Sequence, residues 1–250
     1  MQLKDKRVLI TGGTKGIGAA TAALMAAQGA DVAINGRHHD EAAEAVLKTI
    51  TSHGRRGTMI EADVSVPGDC ERCVDEAVRT LGGLDVLIHN AGDTLFGTIE
   101  EVTPDQWHHA FAIHVHAAYY LCRRAIPHLK QAGEGAIVLV SSVAGIRGTA
   151  RAIAYGTAKG AVVQFTRMLA RDVAADNIRV NCIAPGIIST RLHDYKTPEQ
   201  RKKSAEERIP LRREGEPNDV AELMVLLATN EFMTGECVTI DGGISSQLSR

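Results

Sequence analysis

Neither sign of charge dominates this chain: 28 basic residues face 30 acidic ones, for a formal net charge of -2. That balance excludes the electrostatic footprint of a nucleic-acid or membrane-surface binder. Long apolar runs are missing too, and none approaches the roughly 18 residues that span a bilayer. The first residues, Met1 to Arg7, carry mixed charge and lead straight into a strand, without the apolar stretch of a secretory signal. Cysteine is scarce and odd in number, five in 250 residues, and lacks the spacing of a disulfide scaffold. A reduced, cytoplasmic protein is expected. The length predicts one α/β domain over residues 1–250. One core of that size buries roughly three quarters of the unfolded chain's surface and needs no metal or disulfide to hold it.

Apolar runs of strand length alternate with stretches of helical period. The runs lie at Arg7–Thr11, Asp31–Asn35, Thr58–Ala62, Val86–Asn90, Ala136–Ser141, Arg179–Ile183 and Val238–Ile240. Most are nearly continuous Val, Ile, Leu and Ala, the signature of strands covered on both faces. Right-handed crossovers then predict a Rossmann-like, doubly wound sheet of about seven parallel strands, with helices on both sides. One helix start is well marked, where Thr103-Pro104-Asp105-Gln106 offers a capping Thr, a Pro at the first helical position and a Gln to close a capping box. No repeat or low-complexity tract interrupts the pattern; only the charged stretch from Thr190 to Glu216 does.

Thr11-Gly12-Gly13-Thr14-Lys15-Gly16-Ile17-Gly18 follows the first strand and opens an Ala-rich helix. A pyrophosphate seated on a helix N-terminus needs backbone N–H groups at close range, and a Cβ would block the approach. A glycine cluster alone is also what a plain tight turn uses. Strand before and helix after favour the dinucleotide site. Its cofactor preference turns on Ile34-Asn35-Gly36-Arg37. Gly36 stands where an enzyme for the non-phosphorylated dinucleotide places a carboxylate on the ribose 2′-hydroxyl. Arg37 follows it, and Lys15 adds a second cation. NADP(H) is therefore expected over NAD(H).

With Asp63-Val64, Asn90-Ala91-Gly92, Ser142, Tyr155-x-x-x-Lys159 and Pro185-Gly186 leading to Thr190, the chain resembles the short-chain dehydrogenase/reductase family over nearly its whole length, and within it the 3-oxoacyl-carrier-protein reductases and the sugar or polyol dehydrogenases. The resemblance implies that Asp63 and Val64 contact the adenine end, that Asn90, Ala91 and Gly92 flank the cofactor, and that Ile188 and Thr190 meet the nicotinamide amide. It also implies a substrate lid over about 187–216 and a homo-oligomer, tetramer or dimer.

The residues themselves lead to the same catalytic set. Tyr155 and Lys159 are four apart at the start of a long helix, so they share a face about 6 Å apart along the axis. A unit charge ~4 Å from the phenol at an effective dielectric of ~20 is worth about 4 kcal/mol, or roughly a thousandfold in its ionisation constant. Lys159 is thus expected to lower the pKa of Tyr155 into the range of an acid/base catalyst. Ser142 ends a buried strand at the ligand-binding edge, where its hydroxyl can hold the substrate oxygen. The bland alternatives are a turn serine and a core aromatic. His114 departs from the family, which commonly has Asn there to hold a water in a proton relay. Apolar spacing through Trp107, Phe111, Ala118 and Leu121 turns His114 inward. It is either a relay group that titrates near neutrality or a hydrogen-bonded core histidine.

Cys70 and Cys73 have the spacing of a redox or zinc pair. They also fall on one apolar helical stripe with Val74, Ala77, Val78 and Leu81, which predicts core thiols and no metal site. Basic residues from Arg191 to Arg213, with Arg147 and Arg151 before Tyr155, favour a polar or anionic small-molecule substrate such as a 3-oxoacyl group, a sugar or polyol, or a hydroxy acid. The rival reading is a non-catalytic NADP(H)-binding sensor on the same fold.

Overall fold

A computed structural model describes residues 1–190 and 197–246. Seven parallel strands form one sheet in the order β3-β2-β1-β4-β5-β6-β7. They are β1 (Arg7–Thr11), β2 (Asp31–Gly36), β3 (Gly57–Glu61), β4 (Val86–His89), β5 (Gly135–Val140), β6 (Ile178–Pro185) and β7 (Cys237–Ile240). Each expected strand is present, with its ends within two residues of those expected.

Alternation along β1 shows why these strands read as continuous apolar runs. Val8 and Ile10 enter the core under α1 (Gly16–Ala27), α2 (Glu41–Ser52) and α9 (Pro217–Thr229). Leu9 enters the opposite core, under α3 (Pro67–Leu81), α5 (Ala117–Ala132) and α7 (Ile153–Val173). With helices on both faces, every position from Val8 to Thr11 is buried. Cys70 and Cys73 lie in the second core, as their stripe predicts; burial pushes the Cys70 thiol up to about 12. Among the described residues no helix is long and apolar enough to cross a membrane.

The sheet reverses its winding between β1 and β4, and ligand clefts of such sheets open at the carboxyl ends there. β4 stops at His89, one residue before the expected end. The Asn90 side chain turns out of the sheet to donate to the carbonyls of Thr11 (3.2 Å) and Gly12 (3.0 Å). The remaining helices are α4 (Pro104–Phe111), α6 (Val143–Ile146) and α8 (Pro198–Arg208). The capping box at Thr103 and Gln106 forms as its residues require. Between α4 and α5 the helix widens into a π-turn, Ala112–His116, which the periodicity does not announce. Such turns insert a residue and rotate the helix beyond it, and they concentrate at functional sites.

Candidate active site

The glycine turn is built for close approach. Gly12 and Gly16 have φ of 62° and 54°, the left-handed region that side chains disfavour. A Cβ on Gly18 would stand 2.2 Å from the Gly12 carbonyl oxygen. The turn floors a cleft of about 350 Å³ lined by Thr14, Lys15, Arg37, Asp63, Val64 and Ala91 among others. A second cleft, about 560 Å³, holds Ser142, Tyr155, Lys159, His114, Pro185, Gly186 and Ile188. The two meet at Ile17, Asn90, Gly92, Asp93 and Thr190. A long groove that crosses the N-terminus of α1 at its waist suits a dinucleotide, with its phosphates at the helix and a base at either end.

Two residues in this groove were not foreseen. Asp40 caps α2, accepting from the Ala43 amide at 3.1 Å, and its second oxygen takes the Lys15 ammonium at 2.5 Å. Lys15 therefore reaches the groove already paired. The capping pattern Asp40-Glu41-Ala42-Ala43 was the available signal. Asp93 is the other, directly after Asn90-Ala91-Gly92, with its carboxylate 3.1 Å from His109 Nε2.

Ser142, Tyr155 and Lys159 converge. Ser142 caps α6, and its oxygen accepts from the Ala144 amide at 3.2 Å. Its hydroxyl also faces the Tyr155 phenol, closely enough to offset part of the effect of burial there. Lys159, 4% exposed, donates to the Val140 carbonyl at 2.8 Å and lies 5.7 Å from the centre of the Tyr155 ring. The end of β5 thus supplies both the serine and the carbonyl that anchors the lysine.

The electrostatics differ from the expectation that Lys159 lowers the phenol's pKa. Burial raises Tyr155 above its ordinary value, partly offset by the Ser142 hydrogen bond, while the Asp93 charge adds to the rise. Burial also drives Lys159 from 10.5 down to about 7, against the attraction of Asp93. Among the chain's own groups, desolvation is the largest influence on the phenol.

His114 is inward, as its spacing predicts, but it does not titrate near neutrality. Burial holds its pKa down to about 2, helped by the neighbouring Lys159 and His89. A neutral ring then donates from Nε2 to the Asp93 carbonyl at 3.0 Å, which leaves Nδ1 a buried acceptor with no partner among the described residues. Its edge meets the Tyr155 ring, centroids 5.5 Å apart at 77°. A side chain at residue 92 would displace it, since a Cβ on Gly92 would fall 2.4 Å from the imidazole carbon. His116 is exposed and lines neither cleft.

Of the basic residues before Tyr155, Arg147 lines the larger cleft. Arg151 does not; it turns away to Glu101 at 3.0 Å, on a backbone with φ of 59°. Arg208, from the end of α8, reaches the same cleft, as does the exposed Phe96. Residues 191–196, including Arg191 and Lys196, lie outside the described residues. The α8 segment is tied down at Arg201, which donates to Glu214 and to the Ser189 hydroxyl, both at 2.5 Å.

A family model described as Enoyl-(Acyl carrier protein) reductase matches residues 12–245. The chain is 35% identical to the 3-oxoacyl-(acyl-carrier-protein) reductase FabG of Chlamydia pneumoniae, over 97% of this chain and 98% of that protein. It is likewise 35% identical to the human dehydrogenase/reductase SDR family member 4, over 98% of this chain and 90% of that one. A solved variant of the Serratia marcescens short-chain dehydrogenase/reductase superposes with a TM-score of 0.91 at 29% identity, covering 98% of this chain and 100% of the other. The oxidoreductases of this kind bind a nicotinamide cofactor, which is what the groove across α1 fits, and this chain belongs to their family, the short-chain dehydrogenases/reductases.

Proposed function

We propose that this protein is an NADP(H)-dependent oxidoreductase that interconverts a carbonyl and a secondary alcohol on a polar or anionic small molecule. The reading rests on one observation: a serine hydroxyl, a phenol and a buried ammonium meet on one wall of a cleft that adjoins a glycine-floored groove. The nicotinamide cofactor, when bound, supplies or accepts the hydride. Tyr155 exchanges the proton with the substrate oxygen, and Ser142 donates a hydrogen bond to that oxygen as charge builds on it. Lys159 orients the phenol and steadies its ionised form. His114, neutral and short of a donor at Nδ1, is placed to hold a water or hydroxyl behind Tyr155. Gly12, Thr14, Gly16, Ile17 and Gly18 hold the phosphates; Asp63 and Val64 the adenosine; Asn90, Ala91 and Gly92 the waist; Pro185, Gly186, Ile188 and Thr190 the nicotinamide.

The test is loss of reduced-nicotinamide absorbance over a panel of ketones with each cofactor. Turnover concentrated on carboxylated or otherwise polar ketones supports the reading, through Arg147 and Arg208. No turnover of any ketone with either cofactor overturns it and leaves a cofactor-binding sensor.

Arg37 and Lys15 favour the 2′-phosphate, although the phosphate must share Lys15 with Asp40. Hydrogen bonds to a charged group contribute about 1.5–3 kcal/mol. Arg37→Ala is expected to weaken NADP(H) binding roughly tenfold to a hundredfold and to leave NAD(H) nearly unchanged. Dissociation constants from fluorescence titration decide it; an equal loss for both cofactors refutes the assignment.

The lid is proposed to span about 187–216, closing over the cleft through Arg208. Exposed Met168 on α7 and exposed Phe232 support a homo-oligomer.

A further inference from the structure

Neither of two neighbouring thiols in the sheet lines the clefts described above. Cys182 on β6 and Cys237 on β7 are register partners. Neighbouring strands lie about 4.8 Å apart and register partners share a face, which brings the two Cα atoms within the roughly 4.4–6.8 Å that a disulfide accepts. Both side chains pack in the core beneath α7, close enough that each thiol shifts the ionisation of the other.

Their surroundings differ in a useful way. Cys182 is fully buried, whereas Cys237, on the edge strand, is only partly buried. The neighbouring Cys182 thiol and the Arg167 guanidinium favour negative charge on Cys237, so its thiol is held below its ordinary value against the effect of burial. The three other cysteines, Cys70, Cys73 and Cys122, are buried, with thiols pushed up by desolvation. A reactive thiol needs thiolate character and access, and a resolving thiol beside it. Only this pair combines them among the described residues.

We propose that Cys182 and Cys237 are a peroxide-sensitive dithiol that closes to a reversible disulfide between β6 and β7. The Cys237 sulfur attacks one oxygen of the peroxide; the O–O bond breaks, giving a sulfenic acid and one water. The Cys182 sulfur then attacks the Cys237 sulfur, the S–O bond breaks, and the departing hydroxide takes the Cys182 proton as a second water. Two thiols lose two electrons and two protons, and the peroxide gains them. The bridge would staple together the strands that lead into Pro185 and Gly186 and into Ile244 and Ser245, all of which line the larger cleft.

The experiment treats the full chain with hydrogen peroxide, then counts free thiols after denaturation and maps non-reduced peptides. Free thiols are expected to fall from the five of the sequence to three. The intact mass drops by two hydrogens, one peptide pair carries Cys182 joined to Cys237, and dithiothreitol restores the starting state. Cys237→Ala, a small change at a partly buried edge position, is expected to form no bridge. The proposal is overturned if all thiols survive peroxide, if Cys237 passes to sulfinic acid while Cys182 stays free, or if the bridge joins any other cysteine. A Cys237→Ala variant that still loses two thiols overturns it as well.

Discussion

Tyr155→Phe is expected to lower kcat by about 10²- to 10⁴-fold, the usual contribution of a positioned proton donor, while the dissociation constant for cofactor stays within about twofold. The change deletes one oxygen and keeps the ring, so the edge contact with His114 survives. What disappears is the proton that the substrate oxygen must gain or lose, together with the partner of the Ser142 hydroxyl. Because burial holds the phenol above its ordinary value, the protonated form dominates at neutral pH. Carbonyl reduction, which consumes that proton, is therefore expected to slow at high pH, and alcohol oxidation to accelerate as pH rises. The measurement pairs steady-state rates in both directions with a cofactor titration. Near-normal turnover in the Phe variant would remove Tyr155 from the chemistry.

The fold was legible because the sheet is covered on both faces. Continuous apolar runs such as Val8-Leu9-Ile10 can be satisfied only by a strand buried twice, and alternation with helices then leaves few topologies. The spacing of Tyr155 and Lys159, and the glycines at 12, 16 and 18, were legible for a similar reason, since each is a local constraint. Depth was not. Spacing says that Lys159 faces Tyr155 but not that 4% of it is exposed, and that burial reverses the expected direction of the phenol's shift. The π-turn at Ala112–His116 escaped because one inserted residue leaves the apolar stripe nearly intact while it carries His114 under Tyr155. Asp40 and Asp93 were missed because each is brought to the groove by a turn whose path the sequence does not encode in any period.

The same burial makes Lys159 a stability cost that function retains. Its ordinary pKa of 10.5 falls to about 7 in the folded chain. Above about pH 10.5 neither state is charged, and the lysine costs nothing. As pH falls from there toward 7, the unfolded chain takes up a proton that the folded chain refuses, so folding loses about 1.4 kcal/mol per pH unit. Below 7 both states are charged and the loss levels off at about 5 kcal/mol as an upper bound. Lys159→Met removes that loss in nearly the same volume, but it leaves the Val140 carbonyl without its donor, at about 1–3 kcal/mol. The Met variant is therefore expected to be more stable than the parent by about 2 kcal/mol near neutral pH. That gain corresponds to a Tm higher by roughly 4–8 °C for a chain of this size, with turnover lost. At about pH 9.5 to 10 the advantage should shrink and then reverse, because only the unpaired carbonyl remains. Thermal melts of both proteins at about pH 6.5 and about pH 9.5 separate the contributions. A Tm difference that ignores pH would mean that the ammonium is not desolvated in the fold, and the buried charge beside Tyr155 would have to be given up.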